Sequence, residues 1–269
     1  NEMFKRRHFL LTVVALLLGA FWGVEPLHPA PFQPGQIFVA YGGNQIGVYA
    51  DTVWLAGTQV MEPLSVSPSS FADSAASLAG GGVALDEFGN LYVTVQNYEG
   101  TGYTGIVKFD ASGRKVLGIN TGTKVDLRGL AVRDGVIYVA SESGIRRFRA
   151  DNGASISPII ASGTRFRDVA FDSQGNLYAL LDDEVKRWRA GSLESFLSIP
   201  SEDPRAIVLD EDGNIYITFE DTKLIRKYSP TRSLLATYYA YNDLTKVGSL
   251  IGLDYDPGTQ RLFASHTET

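Results

Sequence analysis

The chain has 269 residues, 44% of them hydrophobic, with a formal net charge of −6 and no cysteine. A chain of this size and composition can bury one large core, so we expect a single main domain. The acidic balance repels phosphate backbones and argues against general nucleic-acid binding. The lack of cysteine excludes disulfides, thiolate nucleophiles and cysteine-ligated metals.

The first 30 residues have the pattern of an export segment. Three basic residues, 5–7, precede an uncharged apolar run of sixteen residues, 9–24. Residues 1–30 are therefore predicted to be an export signal or an uncleaved N-terminal anchor. The segment RRHFL at 6–10 resembles the twin-arginine export motif, with an ordinary basic segment as the alternative. Both routes predict a periplasmic, cell-surface or secreted protein that contacts the membrane only through such an anchor.

A repeat dominates the rest of the chain. Five segments align, each with two short apolar runs joined by a polar turn, and they begin at residues 82, 129, 168, 206 and 252. This pattern is typical of a β-hairpin. In three copies the turn is Asp-x-x-Gly-Asn, at 86–90, 172–176 and 210–214. The Asp side chain can accept backbone N–H groups within such a turn, and Gly supplies the positive φ that closes it.

A third run with an aromatic residue follows each hairpin, and a weaker fourth run comes after it. The aromatic residues are Tyr49, Phe109, Phe148, Trp188 and Tyr228. Four strands in roughly 40 residues is the length of one propeller blade. We therefore predict an all-β fold, a β-propeller of four-stranded blades over residues 31–269.

Six blades are predicted, with five as the alternative if the strand at 252–256 completes the first blade. The first blade, at about 37–66, supplies three strands, and the sixth begins at residue 252 and is truncated after its second strand. The four complete blades are predicted at about 82–120, 129–165, 168–200 and 206–240.

The repeated LDEDGNIYIT (209–218) and IRKYS (225–229) resemble NHL repeats over about 37–269. They are more distantly similar to the six-bladed propellers that include gluconolactonase-type lactonases. The resemblance implies a propeller in which one face is built from two sets of loops: those that lead into each inner strand and those between the second and third strands. The lactonase relatives imply a calcium ion held by Glu, Asn and Asp on inner loops. The chain shows no Glu-Gly-Pro-like start to a blade.

Three arginines, Arg128, Arg167 and Arg205, directly precede predicted inner strands. The loops between the second and third strands on the same face are acidic, with Glu142, Asp182–Glu184, and Glu220–Asp221. One hypothesis is that the arginines converge on the central pocket and bind an anionic group. The alternative is that each arginine pairs with an acid of a neighbouring blade and sets the register of the ring.

A long loop in the second blade, 96–105, carries Tyr98 and Tyr103 among glycines. This composition suits an adaptable contact surface, so both tyrosines are candidate ligand-binding residues. A solvated loop is the alternative.

Metal and catalytic sites are not predicted. The segment 210–214 resembles the start of a calcium loop, but it lacks the closing Glu and is interpreted as a hairpin turn. Of the three histidines, only His266 lies beyond the N-terminal segment, which argues against histidine-dependent chemistry. We predict no cofactor and a non-catalytic binding or scaffold propeller for a protein or glycan partner. A calcium-dependent lactonase-like hydrolase is the alternative.

Overall fold

The computed structural model describes residues 82–189, 191–239, 250–258 and 260–266, together with the backbone of five short strands before residue 82. These strands are β1 (Phe9–Leu10), β2 (Gln36–Tyr41), β3 (Gln45–Ala50), β4 (Ser69–Ala72) and β5 (Ala76–Ser77). The first four form one sheet in chain order, in which β1 is parallel to β2 and the other pairs are antiparallel. Apart from the backbone of β1, which pairs with β2, the predicted signal at 1–30 lies outside the described residues, as does the predicted first blade apart from β2 and β3.

Two four-stranded antiparallel sheets follow. Blade 2 contains β6 (Val83–Leu85), β7 (Leu91–Val95), β9 (Gly105–Phe109) and β10 (Lys115–Asn120), while β8 (Asn97–Tyr98) pairs separately with β5. Blade 3 contains β11 (Leu127–Arg133), β12 (Val136–Ser141), β13 (Gly144–Arg149) and β14 (Ser155–Ile160). In both sheets the strands run in chain order from the inside of the ring to the outside.

Blades 4 and 5 repeat this arrangement, and the last sheet is short. Blade 4 contains β15 (Asp168–Phe171), β16 (Leu177–Leu180), β17 (Glu184–Arg189) and β18 (Ser192–Ser198). Blade 5 contains β19 (Pro204–Leu209), β20 (Ile215–Phe219), β21 (Leu224–Tyr228) and β22 (Leu234–Tyr239). Blade 6 has two strands within the described residues, β23 (Leu250–Asp256) and β24 (Arg261–His266).

The sheets are arranged as a β-propeller, which confirms the predicted fold class. The innermost strands of blades 2 to 6 are neighbours in turn: β6 contacts β11, β11 contacts β15, β15 contacts β19, and β19 contacts β23. No helix occurs among the described residues, and therefore none there is long and apolar enough to cross a membrane. The five neighbouring inner strands surround a central channel. The first residues of these strands lie at one mouth of that channel.

The predicted Asp-x-x-Gly-Asn turns are confirmed in blades 2, 4 and 5. In blade 2 the Oδ1 atom of Asp86 accepts the N–H groups of Phe88 and Asn90, each at 2.9 Å. The Asn90 side chain donates to the other Asp86 oxygen at 2.7 Å, and Gly89 has a φ of 78°. These hydrogen bonds stay within the turn, so local sequence favours a hairpin at this position.

The recurring aromatic residues whose side chains are described pack in the hydrophobic core. Phe109, Phe148 and Tyr228 are buried. Trp188 is partly buried and packs against a core cluster. The side chain of Tyr49 lies outside the described residues. Phe148 of blade 3 shares its cluster with Tyr92 and Ile106 of blade 2. Burial of each such side chain stabilises the fold by about 1.5–3 kcal/mol, so the inter-blade contacts hold the inner strands in place.

Candidate functional site

A cavity of about 370 Å³ occupies the central channel. The inner strands of blades 2 to 6 line it, and the three arginines singled out from the sequence all belong to the lining. Arg167 precedes β15, whereas Arg128 and Arg205 are the second residues of β11 and β19 and not, as predicted, the residues before them. The structure therefore brings all three arginines to one mouth of the channel.

Arg167 is the most buried of the three, with 10% of its side chain exposed. Its Nε donates to Oδ1 of Asp182, which lies in the loop between the second and third strands of its own blade. Its Nη2 lies 2.8 Å from Oδ1 of Asp203, on the segment that leads into blade 5. Arg167 therefore joins two adjacent blades.

Arg205 shares Asp203 with Arg167. Its Nη2 donates to Oδ2 of Asp203 at 2.8 Å, and its Nε donates to Glu220 of its own blade. Asp203 was not among the acids noted in the sequence, although its place two residues before an arginine of the mouth was visible there. One carboxylate thus bridges two guanidinium groups.

Arg128 completes the pattern on blade 3. Its Nη2 donates to Oε1 of Glu142 at 3.1 Å, and Nε of Arg165 lies 3.9 Å from the same oxygen. We call these eight residues the arginine–carboxylate ring: Arg128, Arg165, Arg167, Arg205, Glu142, Asp182, Asp203 and Glu220. Of the three predicted arginines, Arg167 pairs with an acid of the next blade as predicted, whereas Arg128 and Arg205 pair within their own blades. A ligand-binding role for the arginines stays a prediction.

Asp168 is a functional candidate that the sequence reasoning missed. It lines the cavity directly after Arg167, at a register position where the other repeats have Gly82, Gly129, Ala206 and Gly252. Its Oδ2 accepts the N–H of Ile207 in blade 5 at 2.9 Å, and its Oδ1 accepts the N–H of Val169 at 2.8 Å. The sequence signal that could have identified it is an acidic residue at a position where the other aligned repeats have glycine or alanine.

The surroundings of Asp168 disfavour its charged form. Burial raises the pKa of Asp168 from its usual 3.8 to about 7, against the opposing effect of the hydrogen bonds from Ile207 and Val169. The residue is partly exposed to the cavity, but dense protein surrounds its carboxylate. A Cβ atom on Gly129 would lie 1.6 Å from Oδ1 of Asp168, so the glycine makes room for this carboxylate.

Buried hydroxyl groups fix the start of three inner strands. Thr94 accepts the N–H of Gly82 at 2.7 Å, Thr218 that of Ala206 at 3.0 Å, and Ser265 that of Gly252 at 2.9 Å. Each hydroxyl belongs to the second strand of the same blade. An unpaired N–H at these positions would be costly, so the hydroxyls hold the channel wall in shape.

Tyr98 and Tyr103 lie apart from the cavity lining. Tyr98 is 8% exposed, and its ring occupies space over Gly105 and Gly118, where a Cβ atom would clash with it. Its N–H donates to the carbonyl of Tyr103 at 2.8 Å. Tyr98 therefore anchors the loop, whereas Tyr103, 39% exposed, is the tyrosine available at the surface.

Asp210 forms the hairpin turn that was favoured over a calcium loop. Its oxygens accept the N–H and side-chain amide of Asn214, each at 2.8 Å, and the hydroxyl of Tyr216 at 3.1 Å. Nζ of Lys227 lies 3.2 Å from the same carboxylate. Within the part of the chain that the structure describes, no group of three or more His, Cys, Asp or Glu side chains is placed to hold a metal ion.

Comparison with known proteins supports the fold and no narrower assignment. No protein-family model matches the chain, and no curated protein matches it, so the similarity to NHL repeats stays a prediction. A virginiamycin B lyase from Staphylococcus aureus superposes with a TM-score of 0.54 at 10% identity, over 82% of this chain and 76% of the other.

Two further solved structures agree with this result. A gluconolactonase from Xanthomonas campestris has a TM-score of 0.53 at 19% identity, over 68% of this chain and 67% of the other. A protein of unknown function from Bacteroides caccae has a TM-score of 0.50 at 13% identity, over 84% of this chain and 90% of the other. At these identities the likeness shows a shared propeller fold and does not transfer an activity.

Proposed function

We propose that this chain is a non-catalytic binding propeller, outside the cytoplasm, that holds a glycan at the mouth of its central channel. The observation that carries the proposal is the arginine–carboxylate ring. Its four guanidinium groups and four carboxylates form two networks of paired donors and acceptors, one around Glu142 and one from Asp182 to Glu220, and they balance in formal charge. Sugar hydroxyls both donate and accept hydrogen bonds, so such a ring suits a neutral polyhydroxyl ligand better than an isolated anion.

The size and rigidity of the site support the same function. A volume of about 370 Å³ falls within the range of small-ligand sites, roughly 300–1,000 Å³. Arg167 and Arg205 are held by shared ion pairs to Asp203, so their donors are already ordered before a ligand arrives. Prior ordering reduces the entropy lost on binding.

The test is binding of the purified chain to an array of neutral and acidic oligosaccharides, followed by titration calorimetry with the best sugar. Arg205→Ala and Asp182→Asn should each weaken binding about tenfold or more, which corresponds to about 1.4 kcal/mol. Arg149→Ala is the matched control, since Arg149 is 57% exposed at the other end of its blade and should leave the affinity within about twofold.

Three results would contradict the proposal. If Arg205→Ala and Asp182→Asn bind the sugar as tightly as the wild type, the arginine–carboxylate ring is not part of the binding site. A preference for acidic sugars alone would favour the anion hypothesis. Hydrolysis of sugar lactones that is lost with EDTA would instead support the lactonase-like alternative.

A further inference from the structure

Asp168 stands out among the residues of the channel wall. It is the acidic member of a register position otherwise occupied by glycine or alanine, and its carboxylate lies against β11 and β19 as well as its own strand. The glycine and alanine at the equivalent positions keep the interior of the channel open beside it.

The carboxylate has no cationic partner among the described residues. Arg128, Arg167 and Arg205 line the same cavity, but each is engaged by an acid of the ring. Two backbone N–H groups reach the Asp168 oxygens, whereas an ionised carboxylate offers about four acceptor positions. A buried carboxylate without a counter-ion is unfavourable, and a cation that entered the cavity would relieve this cost.

The charged groups that line the cavity around Asp168 can be named strand by strand. β11 contributes Arg128, β19 contributes Arg205, β23 contributes Asp254, and Arg167 directly precedes Asp168. The β6 residues of the lining, 82–85, are uncharged. The arginines are neutralised by the ring, so the interior beneath the mouth favours a cation over an anion.

We propose that the interior of the channel is a binding site for an organic ammonium group, with the carboxylate of Asp168 as its counter-ion. An ammonium group has three donors, and about two of them can be accepted at the free acceptor positions of the Asp168 carboxylate. A calcium ion requires six or more oxygen ligands, and the described residues gather no such set. This site lies behind the arginine–carboxylate ring and goes beyond the glycan function proposed for the mouth.

Thermal unfolding of the full chain at pH 8 tests the proposal with n-butylammonium chloride as the probe. Equal concentrations of n-butanol and of sodium chloride control for the alkyl chain and for ionic strength. We expect butylammonium to raise the Tm above both controls, because a ligand that binds only the folded state stabilises it. Asp168→Asn should abolish this rise. Asp134→Asn, at a side chain that is 87% exposed in the turn of blade 3, should retain it.

Calorimetry on the wild-type chain gives a second measurement that does not depend on any variant folding. With the pKa of Asp168 at about 7, binding at pH 7 should release close to half a proton, and the affinity should fall about 30-fold between pH 8 and pH 5.5. An equal effect of butanol, binding without proton release, or no binding at all would overturn the proposal. None of these results bears on the sugar array, so the two proposals fail separately.

Discussion

At the scale of single residues, Asp168 differs from the acids at the mouth of the channel in what its carboxylate contacts. Asp182, Asp203 and Glu220 are held by arginines. Asp168 lies one residue from Arg167 but receives backbone N–H groups instead of a guanidinium group. Burial without a cationic partner among the described residues therefore raises the pKa of Asp168.

The raised pKa of Asp168 predicts a stability that depends on pH. The folded chain holds this proton more tightly than the unfolded chain, so the contribution to stability is fully present below about pH 4 and is lost as the pH rises through 7. Between pH 5 and pH 8 the loss is at most about 3 kcal/mol. Urea unfolding at these two pH values should show this difference in wild type and a smaller one in Asp168→Asn. An equal pH dependence of stability in the two proteins would show that Asp168 is not the group responsible.

At the scale of the element, the inner hairpins of blades 2, 4 and 5 each have a turn in which one aspartate accepts several hydrogen bonds. In blade 5, Asp210 is 6% exposed and binds Asn214, Tyr216 and Lys227. Burial acts to raise the pKa of Asp210, but the hydrogen bonds from Asn214 and the contact with Lys227 together hold it below its usual value. The ionised carboxylate therefore stabilises the folded turn.

Asp210→Ala should lower the free energy of unfolding by about 2–4 kcal/mol at pH 7, because it leaves several buried donors without an acceptor. The loss should shrink as the pH falls below about 4, where the unfolded chain takes up the proton and the contribution of the ionised form disappears. Urea unfolding measures both effects. Asp212→Ala in the same turn, at an exposed side chain, is the control and should change stability by less than about 0.5 kcal/mol. Similar losses in the two variants would show that the turn does not depend on Asp210.

At the scale of the whole molecule, the hydrophobic clusters of the described residues lie between adjacent blades and not within single blades. One cluster joins blades 2 and 3 through Tyr92 and Phe148, and another joins blades 4 and 5 through Phe196 and Phe219. A blade in isolation would expose both faces of its sheet, because each face packs against a neighbouring blade. The blades should therefore unfold together, in contrast to an open array of repeats.

Phe148→Ala tests this cooperativity. Loss of a buried phenylalanine at a junction should lower the free energy of unfolding by about 3–5 kcal/mol and shift the whole transition to lower urea. Far-UV circular dichroism and tryptophan fluorescence should shift together. Phe88→Ala, at a ring that is 75% exposed, should leave the midpoint nearly unchanged. Two separate transitions in the Phe148 variant would indicate blades that unfold independently.

The sequence by itself determined the strand order, the positions of the turns and the propeller class. These features depend on the spacing of apolar residues and on local hydrogen bonds such as those of Asp86, which a linear pattern contains. The convergence of Arg128, Arg167 and Arg205 on one mouth also followed from their shared register.

The tertiary structure alone decided which acid forms an ion pair with each arginine and which acid of the channel has no arginine partner within the described ranges. The bridge from Arg167 to Asp203 spans two blades, and its formation depends on the distance between adjacent inner strands. The unpaired state of Asp168 depends on the cavity around it and on the room left by Gly129. Solvation and through-space pairing are set by the closed arrangement of blades, and the repeat pattern carries no measure of either.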